Sequence, residues 1–216
     1  MDETPIRQRD AVRTRAELLD VATEVFADSG YSGARIDEIA RRTRTTKRMI
    51  YYYFGGKEQL YLAVLEKAYR GIREKEQTLQ VQDLDPAESL RRLAELTYDH
   101  HLENTEFIRL VAIENIHRGR FIRQIDSLRD LGKPALGLLE EVLVRGREDG
   151  TFRADVDAVD VHLLISSYCV FQVANRYTFG HLFDLDLDAA ENRDRLRRVI
   201  GDVVVAWLTA AARTAE

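Results

Sequence analysis

The sequence has few of the residues that interrupt helices or crosslink chains. Its 216 residues include only 12 Gly, 3 Pro and 1 Cys. So few turn residues leave little room for a many-stranded sheet, and the many Leu, Ala, Glu and Arg residues favour helices. The lone Cys169 excludes a disulfide framework, a CxxC redox pair and a cysteine-rich zinc site. The composition therefore predicts an all-α protein of a reducing compartment.

Long hydrophobic runs are also missing. The first ten residues contain no apolar run of the kind found in a signal peptide. The most apolar stretch, residues 161–174, is interrupted by polar side chains and is too short to span a bilayer. We therefore expect a soluble, cytoplasmic protein with no membrane partner.

Motifs of catalysis and of metal binding are absent as well. The sequence contains no G-x-S-x-G, no P-loop and no G-x-G-x-x-G. No two of its five histidines are four residues apart, so no local zinc motif is present. Cys169 lies in an apolar stretch, where a thiol is normally unreactive. We expect no enzyme activity, no cofactor and no metal ion.

Positive charge is concentrated near the N-terminus. The net charge is −5, yet residues 1–57 contain 11 Lys and Arg against 9 Asp and Glu. Within residues 35–57 there are seven basic residues and only two acidic ones, Asp37 and Glu38. Such a local concentration is typical of a phosphate-binding surface, which an acidic net charge does not exclude.

The spacing of apolar residues predicts three short helices in this basic segment. They cover residues 10–28, 36–40 and 47–54, and glycines follow the first and the third. A helix, a tight turn and a second helix form the geometry that presents a helix N-terminus to the DNA major groove. Residues 45–48 would place hydroxyl groups, two cations and a helix N-terminus together, where phosphates and base edges are in reach.

The same segment resembles the DNA-binding domain of the tetracycline-repressor (TetR) family. The resemblance covers residues 14–64 and rests on LDVA at 19–22, SGY at 29–31, IDEIA at 36–40, YYYF at 51–54 and KEQL at 57–60. It implies a helix-turn-helix domain at residues 1–56 and a larger all-helical ligand-binding and dimerisation domain at residues 57–216. It also implies a ligand-responsive transcriptional regulator, expected to be a repressor.

The resemblance further implies roles for individual residues. By matched position it assigns Arg35 and Thr46 to helix ends that face the DNA backbone. It assigns Lys47, Arg48 and Tyr51 to the bases or their edges. It assigns Tyr52, Tyr53 and Lys57 to phosphates. Three consecutive tyrosines on one helix cannot all be buried, and Tyr53 is the one expected either in the core or at the DNA.

The turn before the third helix departs from the family pattern. The family usually has Ala-Gly-Val-Ser there, whereas this chain has TRTT at residues 43–46. Without Gly, the turn must avoid a left-handed conformation or place Arg44 in one. We expect Arg44 to point outward towards phosphate, with Thr45 beside it in the interface.

A second interpretation stays open. The basic cluster could serve an acidic protein surface in a helical module that binds a small molecule or a partner without sequence-specific DNA binding. A DNA pull-down separates the two, because a regulator retains double-stranded DNA with a steep salt dependence.

The rest of the chain is predicted to be helical. A long helix from residue 57 to about residue 78 joins the two domains and is the expected lever for signalling. Asp85 and Pro86 begin the next helix, whereas Gly119 and residues 132–134 are expected to end helices.

The second domain is expected to bind a small-molecule effector. His101 and Glu114 each continue the apolar stripe of a predicted helix, so both are expected to point into one interior. Either neighbouring helices satisfy them, or they line a ligand cavity for a small aromatic or heterocyclic anion. The expected lining is His101, Glu114, Asn115, Tyr168, Gln172, Arg176 and Tyr177, in which Arg176 suits a carboxylate.

The last two predicted helices suggest a homodimer. Residues 156–179 are apolar nearly all round, which predicts burial on more than one side. Val199, Val203 and Trp207 form a stripe that a symmetric partner can bury in a four-helix bundle. A two-fold dimer would space two recognition helices about 34–36 Å apart, or a multiple of that, and so match a palindromic operator.

Overall fold

The regular structure of the chain is helical. The computed structural model describes residues 4–77, 79 and 81–210, and no strand occurs within them, so the all-α prediction is confirmed. A 3-10 turn covers Ile122–Gln124. The helices are α1 (Thr4–Gly33), α2 (Ile36–Arg42), α3 (Lys47–Phe54), α4 (Lys57–Gln77), α5 (Pro86–Glu103), α6 (Thr105–Ile116), α7 (Ser127–Glu148), α8 (Ala158–Ala174), α9 (Arg176–Phe183) and α10 (Ala190–Thr209).

Within the described ranges, no helix combines the length and the hydropathy that a bilayer crossing requires.

The chain divides into two compact units. Unit 1 comprises the residues up to 69 together with 109–128, and unit 2 comprises 70–108 and the residues from 129 onward. This division differs from the predicted boundary at residues 56 and 57. The reason is that Leu110 and Phe121 are buried in the same core as the residues of α1 to α4. Thr78, at the expected end of the connecting helix, and the two chain termini lie outside the described residues.

The core of unit 1 holds the short helices in place. Leu18 and Phe26 of α1, Ile39 of α2 and Ile50 of α3 are each fully buried in it. Burying one such side chain stabilises the fold by roughly 1.5–3 kcal/mol. Because an isolated helix of eight residues is unstable in water, α3 exists only through this packing.

Gly30 interrupts α1, as the sequence indicates. Its φ of 66° and ψ of 174° are non-helical, and a further turn follows it up to Gly33. Glycine adopts this positive φ without a steric penalty.

Unit 2 is built around α5, which packs against α8 and α10. Its core includes Leu90 and Ala94 of α5, Val161 of α8 and Ile200 of α10. The helix α5 begins as expected, because the Asp85 carboxylate accepts a hydrogen bond from the Glu88 amide at 2.9 Å and Pro86 occupies the first turn.

Two predictions for unit 2 are wrong. The helix α7 continues through residues 132–134, because a proline removes only one backbone donor and a helix of 22 residues tolerates that loss. The predicted helix over residues 156–179 is instead two helices that meet at Asn175. Asparagine side chains compete for backbone hydrogen bonds, and the side-chain amide of Asn175 donates to the Phe171 carbonyl at 3.5 Å.

The turn between α2 and α3 contains a non-glycine residue in the left-handed region. Arg44 has a φ of 52°, so the turn keeps the left-handed conformation without Gly. The Thr45 amide donates to the Ala40 carbonyl at 2.9 Å, and the Thr43 hydroxyl donates to the Ile39 carbonyl at 2.8 Å. These bonds hold the turn in spite of a conformational cost of roughly 1–2 kcal/mol at Arg44.

Replacing Arg44 with glycine is therefore expected to stabilise the protein. Arg44→Gly should raise the free energy of unfolding by about 0.5–1 kcal/mol, since the relief of strain exceeds the extra entropy of the unfolded chain. The control is Arg41→Gly, in the helical part of α2, which should lower the free energy of unfolding by about 1 kcal/mol. Urea denaturation measures both. A loss of stability in Arg44→Gly would contradict this account of the turn.

Candidate nucleic-acid interface and effector region

The helix α3 has defined ends. Thr46 precedes it with extended backbone angles, and its hydroxyl oxygen accepts a hydrogen bond from the Met49 amide at 3.4 Å. Gly55 follows it at a φ of 81°, and the Gly55 amide donates to the Tyr51 carbonyl at 2.8 Å. The helix α3 therefore begins with two cationic residues, Lys47 and Arg48.

The two sides of α3 differ in chemistry. Ile50 and Phe54 are buried in the core of unit 1. Lys47 and Arg48 are exposed, as are Tyr51 at 52% and Tyr52 at 78%. Tyr53 is half-buried against the core, so part of its side chain is packed and part is exposed. Arg48 and Tyr52 thus lie opposite the apolar anchor, and Lys47 and Tyr51 are exposed beside it.

The other predicted DNA contacts lie around the turn and in the same unit. Arg35, immediately before α2, is exposed, and so are Arg44 and Thr46. Thr45 is half-buried. Among the described residues, Arg35 and Arg44 form no ion pair, which leaves both guanidinium groups available to phosphate.

Lys47 is paired in the absence of DNA. Its ammonium group forms an ion pair with Asp37 of α2, and both side chains are more than half exposed. An exposed pair of this kind contributes only about 0–1 kcal/mol, so a phosphate group can replace Asp37. The sequence did not indicate this pairing, because the contact depends on the angle between α2 and α3.

Lys57 lies at the start of α4 against the last residues of α1. Its ammonium group lies 4.9 Å from the centroid of the Tyr31 ring and donates to the Ser32 carbonyl at 3.5 Å. Partial burial lowers the pKa of Lys57. The ring and the carbonyl hold the cation in one position, which suits a defined phosphate contact.

Glu114 belongs to unit 1 and has an internal role. Its carboxylate accepts hydrogen bonds from the Tyr61 hydroxyl at 3.0 Å, the Phe121 amide at 3.1 Å and the Ile122 amide at 3.0 Å. Burial, followed by the nearby carboxylate, raises the pKa of Tyr61. Glu114 does face inward, as expected. Its carboxylate oxygens accept hydrogen bonds from residues of unit 1, however, and His101 lies in unit 2, so the two do not share one interior.

Asn115 also belongs to unit 1. It is exposed, and its side chain donates to the Val111 carbonyl of its own helix at 2.8 Å.

His101 lies in a buried pair of imidazoles in unit 2. His100 is 5% exposed and His101 is 3% exposed, and the Nδ1 atom of neither has a hydrogen-bond partner among the described residues. Their rings lie 5.8 Å apart and both meet the ring of Phe107 edge-on. Burial, with a smaller contribution from the nearby Arg73, lowers the pKa of each to about 4. Both imidazoles are therefore neutral at neutral pH.

The four remaining residues expected at the effector site lie on α8 and α9 of unit 2. Tyr168 and Gln172 are half-buried, and the Tyr168 hydroxyl donates to the Leu196 carbonyl at 3.1 Å. The Arg176 guanidinium donates to the Tyr177 hydroxyl at 2.9 Å and lies 3.7 Å from the Asp188 carboxylate. Its Nε atom is buried and has no partner within the described part of the chain.

A cavity of about 520 Å³ opens in unit 2 beside α5 and α10. None of the residues expected at the effector site lines it. Most of its lining side chains are charged: Lys75, Glu88, Arg92, Glu95, Asp99, Glu103 and Arg197, together with Leu79, Leu96 and His100. Small-molecule sites are usually mostly apolar, so we do not assign the effector to this cavity.

Exposed apolar side chains line part of α8, α9 and α10. Val203 is 46% exposed, whereas Val199 and Trp207 are half-buried. Only one side of α8 is buried within the chain, and Leu163 is 65% exposed on another side. The apolar surface of α9 includes Leu182 at 74% and Phe183 at 65%.

Both parts of the chain match families of known proteins. Residues 18–64 match the family described as "Bacterial regulatory proteins, tetR family", and residues 86–204 match "Tetracyclin repressor-like, C-terminal domain". The second match alone spans more than half of the chain. The chain belongs to the TetR family. It is thus a DNA-binding transcriptional regulator, as the resemblance implied.

Individual TetR-family proteins are similar over most of their length. The HTH-type transcriptional repressor NicS of Pseudomonas putida is 36% identical over 185 residues, which are 86% of this chain and 87% of NicS. The crystal structure of SCO4942 from Streptomyces coelicolor has a TM-score of 0.67 at 26% identity, covering 88% of this chain and 97% of that one. The crystal structure of FadR from Bacillus subtilis in complex with stearoyl-CoA has a TM-score of 0.69 at 16% identity. The match covers 89% of this chain and 98% of FadR, and it supports the fold.

Removing the Glu114 carboxylate is expected to destabilise unit 1 of this TetR-family protein. In Glu114→Ala, one buried amide, one partly buried amide and one buried hydroxyl lose their acceptor, which should cost about 3 kcal/mol or more. Urea unfolding followed by circular dichroism measures the loss.

Asn115→Ala is the matched control for Glu114→Ala. It removes an exposed side chain from the next position of α6 and should change the free energy of unfolding by no more than about 0.5 kcal/mol. Equal stability of the two variants would show that Glu114 does not hold this segment.

Proposed function

We propose that this chain is a cytoplasmic, non-catalytic repressor that binds a palindromic DNA operator through α3 and leaves it when a small molecule binds unit 2. The observation that carries the DNA part is the exposure of Lys47 and Arg48 in the first turn of α3, a helix anchored by the buried Ile50 and Phe54. The name of NicS, a transcriptional repressor, favours repression over activation.

The proposed DNA contacts fall into two groups: residues that read the base sequence, and residues that position the protein on the phosphate backbone. Lys47 and Arg48 in the first turn of α3, and Tyr51 in the second, are assigned to base edges in the major groove. The residues assigned to the phosphate backbone, which fix the register without carrying sequence information, are Arg35, Arg44, Thr45, Thr46, Tyr52, Tyr53 and Lys57.

Changing one base-reading cation and one phosphate-binding cation tests the DNA assignment. Lys47→Glu together with Lys57→Ala should abolish specific binding to a duplex that the wild type binds. Lys57→Ala alone should weaken binding to all duplexes and reduce the slope of log affinity against log salt by about one unit. Fluorescence anisotropy of labelled duplexes measures both effects.

The control for this experiment is Lys133→Glu, which reverses the charge of an exposed lysine in unit 2. It should leave DNA affinity close to that of the wild type. If the folded double variant also binds DNA like the wild type, the basic cluster has another purpose, such as an acidic protein surface.

A homodimer is the proposed assembly. Exposed apolar side chains on α8 and α10, with Val199, Val203 and Trp207 among them, would become buried against a second copy. Such an interface would present two copies of α3 to the two halves of a palindrome.

Placing charges in this apolar surface should separate the dimer. Leu163→Arg together with Val203→Arg should give a monomer at micromolar concentration, because two guanidinium groups per chain would have to be buried without partners. Val12→Arg, at a residue of α1 that is 66% exposed, should remain dimeric. Light scattering gives the mass, and a wild type that is monomeric at this concentration would rule out the assembly.

The effector is assigned to unit 2. His101, Tyr168, Gln172, Arg176 and Tyr177 belong to that unit and remain the candidate contacts, whereas Glu114 and Asn115 receive no effector contact. A carboxylate of a small aromatic or heterocyclic anion would compete with Asp188 for Arg176.

Signalling requires a change that reaches unit 1. Both α4 and α6 contain residues of the two units, so a shift of either helix can alter the position of α3. A useful inducer must bind the DNA-free form roughly 10-fold to 100-fold better, or about 1.4–2.7 kcal/mol. Screening anionic metabolites for release of bound duplex tests this assignment.

A further inference from the structure

Unit 1 carries a second group of positive charges, far in sequence from the helix-turn-helix segment. Arg118, Arg120 and Arg123 are exposed and follow the C-terminus of α6. The sequence between residues 115 and 125 contains no Asp or Glu. We name these three arginines the second basic cluster.

These arginines lack an acidic partner, unlike several other cations of unit 1. Arg42 pairs with Glu24, Lys67 with Asp20 and Arg109 with Asp28. No ion pair involves the second basic cluster in the described ranges. Three unpaired positive charges so close together repel one another, an arrangement that a bound polyanion would stabilise.

The backbone under the second basic cluster is held firmly. Arg118 and Gly119 have positive φ values of 57° and 67°, and the Gly119 amide donates to the Glu114 carbonyl at 2.7 Å. The Glu114 carboxylate binds the next amides of the segment, those of Phe121 and Ile122. Phe121 itself is 2% exposed. A fixed backbone reduces the entropy that the arginines lose on binding.

A chain of aromatic contacts places this cluster close to Lys57. The Arg120 guanidinium lies 5.2 Å from the centroid of the Phe121 ring, which lies 4.4 Å from that of Tyr31. The Lys57 ammonium lies 4.9 Å from the Tyr31 ring. The two cations are therefore within about 15 Å of each other, which four or five base pairs span at about 3.4 Å each.

We propose that Arg118, Arg120 and Arg123 form a second phosphate-binding surface, which contacts the duplex backbone beyond the base pairs read by α3. The proposal rests on the DNA-binding function proposed above, since its location is defined by proximity to Lys57. Phosphate contacts carry no sequence information, so this surface adds affinity and salt dependence without changing base preference.

The test is a triple variant that removes the three charges. It combines Arg118→Asn, because asparagine tolerates a positive φ, with Arg120→Gln and Arg123→Gln. Its affinity is measured by fluorescence anisotropy between about 50 and 200 mM salt, with a duplex of about 40 base pairs that the wild type binds. Each lost phosphate contact should reduce the slope of log affinity against log salt by about 0.9, so a reduction of about two to three is expected for each protomer bound to the duplex.

A matched control removes three exposed charges from unit 2, with Lys133→Gln, Arg193→Gln and Arg198→Gln. The control should keep the wild-type slope. The preference of the triple variant for the bound duplex over a scrambled one should also equal that of the wild type, and urea denaturation confirms that the variant is folded.

A folded triple variant with the wild-type slope overturns the proposal, and this result is expected if the cluster serves an acidic protein surface instead. If the wild type itself binds no duplex, the proposed DNA-binding function fails. If the wild type binds and Lys47→Glu abolishes binding while the triple variant behaves as wild type, only the second surface is refuted.

Discussion

The packing of Ile50 and Phe54 into the core of unit 1 is the contact on which the proposed DNA interface depends. An eight-residue helix is unstable alone, so these two anchors, with Thr46 and Gly55 at the ends, determine whether α3 exists. With 3.6 residues per turn, Arg48 and Tyr52 then lie on the side of α3 opposite these anchors. Lys47 and Tyr51 are exposed as well, Lys47 in the first turn of the helix. The same burial that stabilises α3 therefore leaves its start and its far side as an exposed basic surface.

Glu114 extends this core to a segment distant in sequence. Its three hydrogen bonds join α4, through Tyr61, to the residues that follow α6. As a result, residues 109–128 belong to the same unit as the helix-turn-helix, and both α4 and α6 run from one unit into the other. A ligand that shifts either helix in unit 2 would act on a helix that also packs in unit 1.

Local patterns predicted most of the helices, because apolar spacing and end residues are short-range signals. The bounds of α3, the interruption at Gly30 and the start of α5 at Pro86 were predictable in this way. The predicted break at residues 132–134 was wrong, since one proline does not outweigh the rest of a long helix. Asn175, a weaker signal, does separate α8 from α9.

Contacts between distant segments were less predictable. The inward direction of Glu114 follows from helical spacing, but its partners Tyr61 and Phe121 depend on how α4 and α6 pack. The pairing of Lys47 with Asp37 and the contact of Lys57 with Tyr31 likewise require the tertiary structure. Spacing within one helix does not contain that information.

The most direct test of the central claim, that α3 reads operator sequence, is selection of duplexes by the wild-type protein from a random pool. The account predicts enrichment of an inverted repeat whose half-sites are one helical turn, about 10 base pairs, or a multiple of it apart. Sequences recovered from the folded protein that do not differ from the starting pool would contradict it.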